Sequence, residues 1–208
     1  MKGLILKDLY VLSKTFKVYG ILVLFYGMFG LTTGQPNFMM GMVCVLLAML
    51  PITSLAYDER AKWDKYALTM PINKNDIVLS KYALGLLLSL IGAVISLVAS
   101  VVIGDMGAET LFTAFACMAI GILYQAIILP IMFKIGTEKG RIVMMAAILV
   151  PVVGVLLAVK IGLINQGTGE FLQAHLDILP FVAVAMIILI YVGSVMLSIK
   201  FYDNNKEV

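Results

Sequence analysis

Trp63, Tyr66, Ala67 and Met70 recur at i, i+3, i+4 and i+7, a spacing that lays four side chains along one face of a helix. The chemistry open to such a face is docking, with two aromatic anchors and a flexible thioether entering an apolar cleft of another protein. Glu59, Lys62, Asp64 and Lys65 fall on the other surfaces, and Pro71 ends the segment. The competing reading is an ordinary loop whose Trp rests at headgroup level, where aromatics are enriched for physical reasons alone.

Covalent chemistry has little to work with. His175, the single histidine, has no cysteine or carboxylate constellation around it, and Cys44 and Cys117 lie inside apolar runs, where they read as small buried hydrophobes. The sequence carries no HExxH pattern and no G-x-x-x-x-G-K-[ST] loop to cradle nucleotide phosphates. A non-catalytic chain that binds no metal or cofactor of its own is the expectation.

The elements that must position the docking face are membrane spans. Apolar runs cover residues 18–33, 38–57, 82–103, 111–133, 142–161 and 178–199, and all but the first reach the ~20 residues needed to cross a bilayer as a helix. With the amino terminus inside, 14 of the 15 Lys and Arg residues fall on the cytoplasmic side, and only Lys160 lies outside. This bias predicts six transmembrane helices with both termini in the cytoplasm. Composition agrees, at 62% hydrophobic and 13% charged residues. The 208 residues leave room for one membrane domain (1–208) and no independent globular one. The net charge of +3 reflects orientation in the membrane and does not point to nucleic acid. The expected fold is therefore all-α and polytopic, in a prokaryotic plasma membrane, with lipid as its surroundings.

Residues 1–17 read as an amphipathic interfacial helix. Ile5, Leu9, Leu12 and Phe16 fall on one side and Lys7, Lys14 and Lys17 roughly opposite, which suits a helix in the inner headgroup plane. Residues 58–81 form the longest cytoplasmic segment, and Asn73 followed by Asp76 marks the start of the next helix. Outside, only the 162–177 loop has any length.

Ionisable residues are absent from the centres of the spans, which argues against a proton- or sodium-coupled carrier. Gly92, Ser96, Ser100 and Gly104 recur at four-residue steps in the third span, a stripe that lets helix backbones approach closely. Gln125 is the most polar group deep in the fourth span and is expected to hydrogen-bond between helices. Pro51, Pro130 and Pro151 each remove a backbone donor and favour kinks. Met39, Met40, Met42 and Met49 crowd the second span, either as gap filler or as a pliant cavity lining.

An amphipathic start, six spans in about 200 residues, and the loop YDERAKWDKYALTMPINKNDIVLSKY after the second span resemble the small permease subunits of the ABC type-2 exporter family; MPINKNDIVLSKY is the most characteristic part. The resemblance implies a pair of permeases, alike or related, each docked on a cytoplasmic ABC ATPase subunit that supplies ATP and Mg. It implies a coupling helix carrying the ATPase contact at Glu59, Lys62, Trp63, Tyr66 and Met70. It also implies a cavity between two permeases, with Tyr26, Met42, Met49, Thr53 and Pro151 as lining candidates, and a re-entrant outer segment at 162–177. Outward movement of hydrophobic or amphipathic cargo, such as antimicrobial or cytolytic peptides, by alternating access is the expected activity. Lipid or drug-like cargo fits the same interior, and an ATPase-independent structural or immunity protein is the alternative.

Overall fold

The computed structural model describes residues 2–33, 36–67, 69–103, 107–161 and 179–205. Gly104, His175 and the expected re-entrant segment 162–177 lie outside the described residues. The described residues form helices and short turns with no strand: α1 (Lys2–Thr33), α2 (Pro36–Ala48), α3 (Leu50–Arg60), α4 (Trp63–Ala67), α5 (Lys74–Ile103), α6 (Ala108–Ile135), α7 (Thr137–Ile161) and α8 (Leu179–Asn205). Five stretches are long and apolar enough to cross a membrane, namely Lys2–Gly30, Met39–Arg60, Lys74–Val102, Thr110–Ile135 and Val182–Asp203. The 25-residue α7 occupies the place of the fifth span read from the sequence.

Three boundaries differ from the sequence expectation. Residues 1–17 do not form a helix separate from the first span, because α1 runs from Lys2 to Thr33 as one helix of 32 residues. No proline interrupts it, and its amino-terminal turns are held by packing, with Leu12 fully buried and Ile5, Leu9 and Phe16 partly so. The second span is two helices. Pro51 has no N–H for the Leu47 carbonyl and its ring crowds the preceding turn, so the Met49 amide divides between the Val45 and Leu46 carbonyls at 3.2 Å each and α3 starts afresh at Leu50. Pro130, by contrast, sits inside an α6 that continues past it, and Pro151 lies within α7. The 58–81 segment contains a helix of five residues, shorter than the i to i+7 pattern requires. Lys62, at φ 51°, turns the chain before it.

α6 is the centre of the bundle, packed against α2, α5, α7 and α8, while α1 lies along α2, α3 and α5. One apolar core fills the space between α1, α2, α3 and α5 around Leu12, Val43, Leu47, Leu50, Leu84 and Leu88. A second sits at the cytoplasmic end, where Ala67 of α4 meets Ile77, Val78 and Tyr82 of α5, Leu129 and Phe133 of α6 and Tyr202 of α8. Polar contacts fasten these helices where lipid supplies none. The Tyr82 hydroxyl lies 2.6 Å from Ser194 Oγ and 2.7 Å from Ser198 Oγ, and the Tyr191 hydroxyl donates to the Tyr82 carbonyl at 2.8 Å. These bonds tie α8 to α5.

Candidate functional site

Helix packing puts three ionisable residues, Asp8, Asp58 and Lys81, inside one end of the bundle. Leu4, Asp8 and Leu12 follow one another at four-residue steps on α1 and are all buried. Ser54 and Asp58 are one turn apart on α3, and Lys81 shares the inward face of α5 with Ile77, Val78, Leu84 and Leu88. Lys81 is only 1% exposed and Asp8 is fully buried. Three helices thus bring unlike charges to one point.

The Lys81 ammonium donates to Asp8 Oδ1 at 2.7 Å, to Asp58 Oδ2 at 2.6 Å and to Ser54 Oγ at 2.8 Å. Lys7, one residue from Asp8 and less deeply buried, donates to both Asp58 oxygens at 2.7 Å and lies 2.9 Å from Asp8 Oδ1. Two ammonium groups bring three protons each; Lys81 reaches three separate acceptors, whereas Lys7 shares one N–H between the two Asp58 oxygens. Two lysines and two aspartates leave the cluster neutral, the condition for keeping charge in a dry interior. Asp8 Oδ2 is buried with no hydrogen-bond partner among the described residues. The sequence reading puts Lys7 on the basic side of an interfacial helix and leaves Asp58 and Lys81 as the ends of the longest cytoplasmic segment. The signal it passed over was an acid and a base standing at apolar positions of two helical stripes.

The cluster reaches α4 through Lys7, whose ammonium stands 4.6 Å from the centroid of the Trp63 ring, within cation–π range. Trp63 and Ala67 turn inward against the cytoplasmic core, Ala67 being fully buried. Tyr66 and Met70 turn outward, 63% and 45% exposed. The expected single docking face is therefore divided, because α4 is pinned along its inner side; the Tyr202 hydroxyl also donates to Asp64 Oδ1 at 3.0 Å. A groove of about 310 Å³ opens beside it, lined by Gly3, Leu4, Lys7, Trp63, Met70, Pro71, Ile72 and Asp76.

Of the other residues singled out for coupling, Lys62 is exposed at the turn before α4. Glu59 reaches across to α7, accepting the Thr137 backbone N–H at 2.6 Å on Oε2. That contact caps the positive end of a helix with a carboxylate.

The lining candidates are dispersed. Tyr26 packs edge-on against Phe25 with ring centroids 5.6 Å apart, Met42 is half-buried on α2, and Met49 and Thr53 flank the break in the second span, with Thr53 Oγ1 donating to the Met49 carbonyl at 3.1 Å. Pro151 is placed only by its backbone in α7. An apolar groove of about 250 Å³ on the outer half, between α1, α2 and α5, is lined by Val23, Leu24, Gly27, Met28, Met39, Ala99 and Val102 and includes none of the five. Met39 and Met40 are buried within the protein.

The packing residues meet α2 and α6. A Cβ added at Gly92 would lie 3.1 Å from Leu47 Cδ1, Ser96 is buried with its hydroxyl 3.9 Å from Cys44 Sγ, and Ser100 donates to its own helix at the Leu97 carbonyl. Gln125 is fully buried and directs its amide nitrogen at Ser89 Oγ, 3.1 Å away, with the Ala48 and Gly85 carbonyls at 3.4 Å. It joins three helices in the membrane interior. Among the described residues, no three His, Cys, Asp or Glu side chains converge as a metal site.

A family model described as ABC-2 family transporter protein matches residues 3–203. No curated protein and no solved structure matches the chain.

Proposed function

The chain belongs to the ABC-2 transporter family, and on that premise we propose that it is the membrane half of an ATP-driven exporter, working as a pair of permeases on cytoplasmic ABC ATPase subunits. The observation that carries the reading is the exposed pair Tyr66, on the short helix α4, and Met70, in the turn after it, with the inner side of α4 packed into the core shared by α5, α6 and α8. An anchor presented on a rigid support binds with little ordering entropy, and movement imposed on it passes into the bundle. The partner ATPase supplies the ATP and Mg chemistry; this chain supplies the path and the joint.

Cargo is hydrophobic or amphipathic, with a cytolytic or antimicrobial peptide as the leading class. Support comes from apolar groove walls and from charges that neutralise one another at the cytoplasmic end. The test is purification of the tagged chain with its ABC ATPase, followed by ATP-dependent uptake of an amphipathic peptide into inside-out vesicles. Bound ATPase and peptide uptake uphold the reading. A chain that carries no ATPase in native membranes belongs to the structural or immunity alternative, and uptake of lipid or drug but not peptide replaces the cargo class alone.

A further inference from the structure

Resting on the permease reading above, we infer that the ABC ATPase meets this chain with an acidic surface, drawn to a basic patch of Arg60, Lys62 and Lys65 beside Tyr66. Residues 58–81 carry five bases and four acids, close to balance along the chain. Folding separates the two signs. Asp58 is buried between Lys7 and Lys81, Glu59 Oε2 accepts the Thr137 N–H, and Asp64 Oδ1 accepts from the Tyr202 hydroxyl. Asp76 sits in the first turn of α5, where the positive end of the helix favours a carboxylate. Of the bases, Lys81 is buried and Lys74 lies 3.5 Å from Asp203 Oδ1. Arg60, Lys62 and Lys65 are left over. All three are exposed, and none has an ion pair among the described residues.

The lysines share a face with the aromatic anchor. Lys62, Lys65, Tyr66 and Thr69 stand at i, i+3, i+4 and i+7 and are all exposed. The Lys65 N–H on the Lys62 carbonyl and the Thr69 N–H on the Tyr66 carbonyl, each at 3.1 Å, hold this stripe in turn geometry. Trp63 and Ala67 face the core, so the stripe points away from the helices that α4 packs on. Three like charges within six residues repel one another. An acidic surface opposite converts that cost into attraction and speeds encounter, while the Tyr66 ring supplies contact area once the partners meet. Charge therefore sets the association rate, and the anchor sets dissociation.

The test places the full chain in nanodiscs of neutral lipid and follows its association with the purified, immobilised ABC ATPase from about 50 to about 500 mM NaCl, a range over which screening shortens severalfold. Wild-type association should slow by about tenfold or more as salt rises. The triple variant Arg60→Gln, Lys62→Gln, Lys65→Gln should associate about tenfold more slowly at low salt and respond little to salt. It should melt as wild type does, because the three charges pair with nothing in the fold among the described residues. The corresponding triple Glu variant should associate more slowly still. A Gln variant that binds ATPase at the wild-type rate, with wild-type salt dependence, overturns the acidic surface and leaves the permease reading standing. Faster association by the Glu variant also overturns it. Salt-sensitive binding that arises only when the nanodiscs carry anionic lipid assigns the patch to the membrane and overturns it as well. Wild-type chain that binds no ATPase, even in native membranes, removes the functional reading and the acidic surface together.

Discussion

The Lys81 ammonium lies 2.6 Å from Asp58 Oδ2 across the boundary between α5 and α3, with the lysine side chain almost wholly buried. Removing Lys81 leaves two buried carboxylates with Lys7 as their one remaining ammonium partner in the cluster, and the penalty is that of an uncompensated charge, not of one hydrogen bond. Lys81→Met should therefore lower the unfolding free energy by about 3–5 kcal/mol. The double variant Lys81→Met with Asp58→Asn should lose clearly less than the sum of its single changes. Titration with a denaturing detergent, read by helix content, measures both; additive losses would show the two groups to be independent.

Glu59 of α3 meets Gly136 where α6 turns into α7. Gly136 holds φ 85° and ψ 163°, a region open essentially to glycine alone, and a Cβ there would lie 2.8 Å from Glu59 Oε1. Gly136→Ala should cost about 1–3 kcal/mol. Glu59→Ala, which uncaps α7, should cost about 1 kcal/mol. Thermal unfolding of the purified chain checks both, and a Gly136→Ala variant as stable as wild type would contradict the geometry.

The all-α, multi-span architecture was legible because hydropathy acts over whole segments, and α5 begins at Lys74 beside the Asn73–Asp76 signal. What escaped the sequence depends on three-dimensional neighbours. Asp8 looks like one more polar residue in a basic lead-in until α3 and α5 bring Asp58 and Lys81 against it. Pro51 was visible as a kink, but only the divided Met49 hydrogen bond shows that the span restarts. The Trp63 periodicity was real over one turn; pinning of Trp63 and Ala67 against the core then left Tyr66 and Met70 alone on the outer edge.

Gly85 and Gln125 face each other across α5 and α6 so closely that a Cβ on Gly85 would collide with the carboxamide. Gly85→Ala should destabilise by about 1–3 kcal/mol through overpacking. Gln125→Ala should cost about 0.6–1.7 kcal/mol, the range for interhelical hydrogen bonds in a membrane. Combining them relieves the collision, so the double variant should be more stable than Gly85→Ala alone. Unfolding in mild detergent gives the comparison, and a double variant weaker than either single one would place the strain elsewhere.

Tyr66 and Trp63 should separate docking from folding. Tyr66 is largely exposed, and truncating an aromatic hot spot typically removes about 2 kcal/mol or more of binding energy, which is about thirtyfold in affinity. Tyr66→Ala should therefore weaken co-purification of the ABC ATPase by about that factor and leave the thermal stability of the isolated chain unchanged. Trp63 packs against the cytoplasmic core and under Lys7, so Trp63→Ala should lower stability first, and Trp63→Phe, which keeps a ring beside Lys7, should recover most of it. Binding measured on immobilised ATPase, alongside unfolding of each variant, reads the two effects independently. Normal ATPase binding by Tyr66→Ala would remove this edge from the interface.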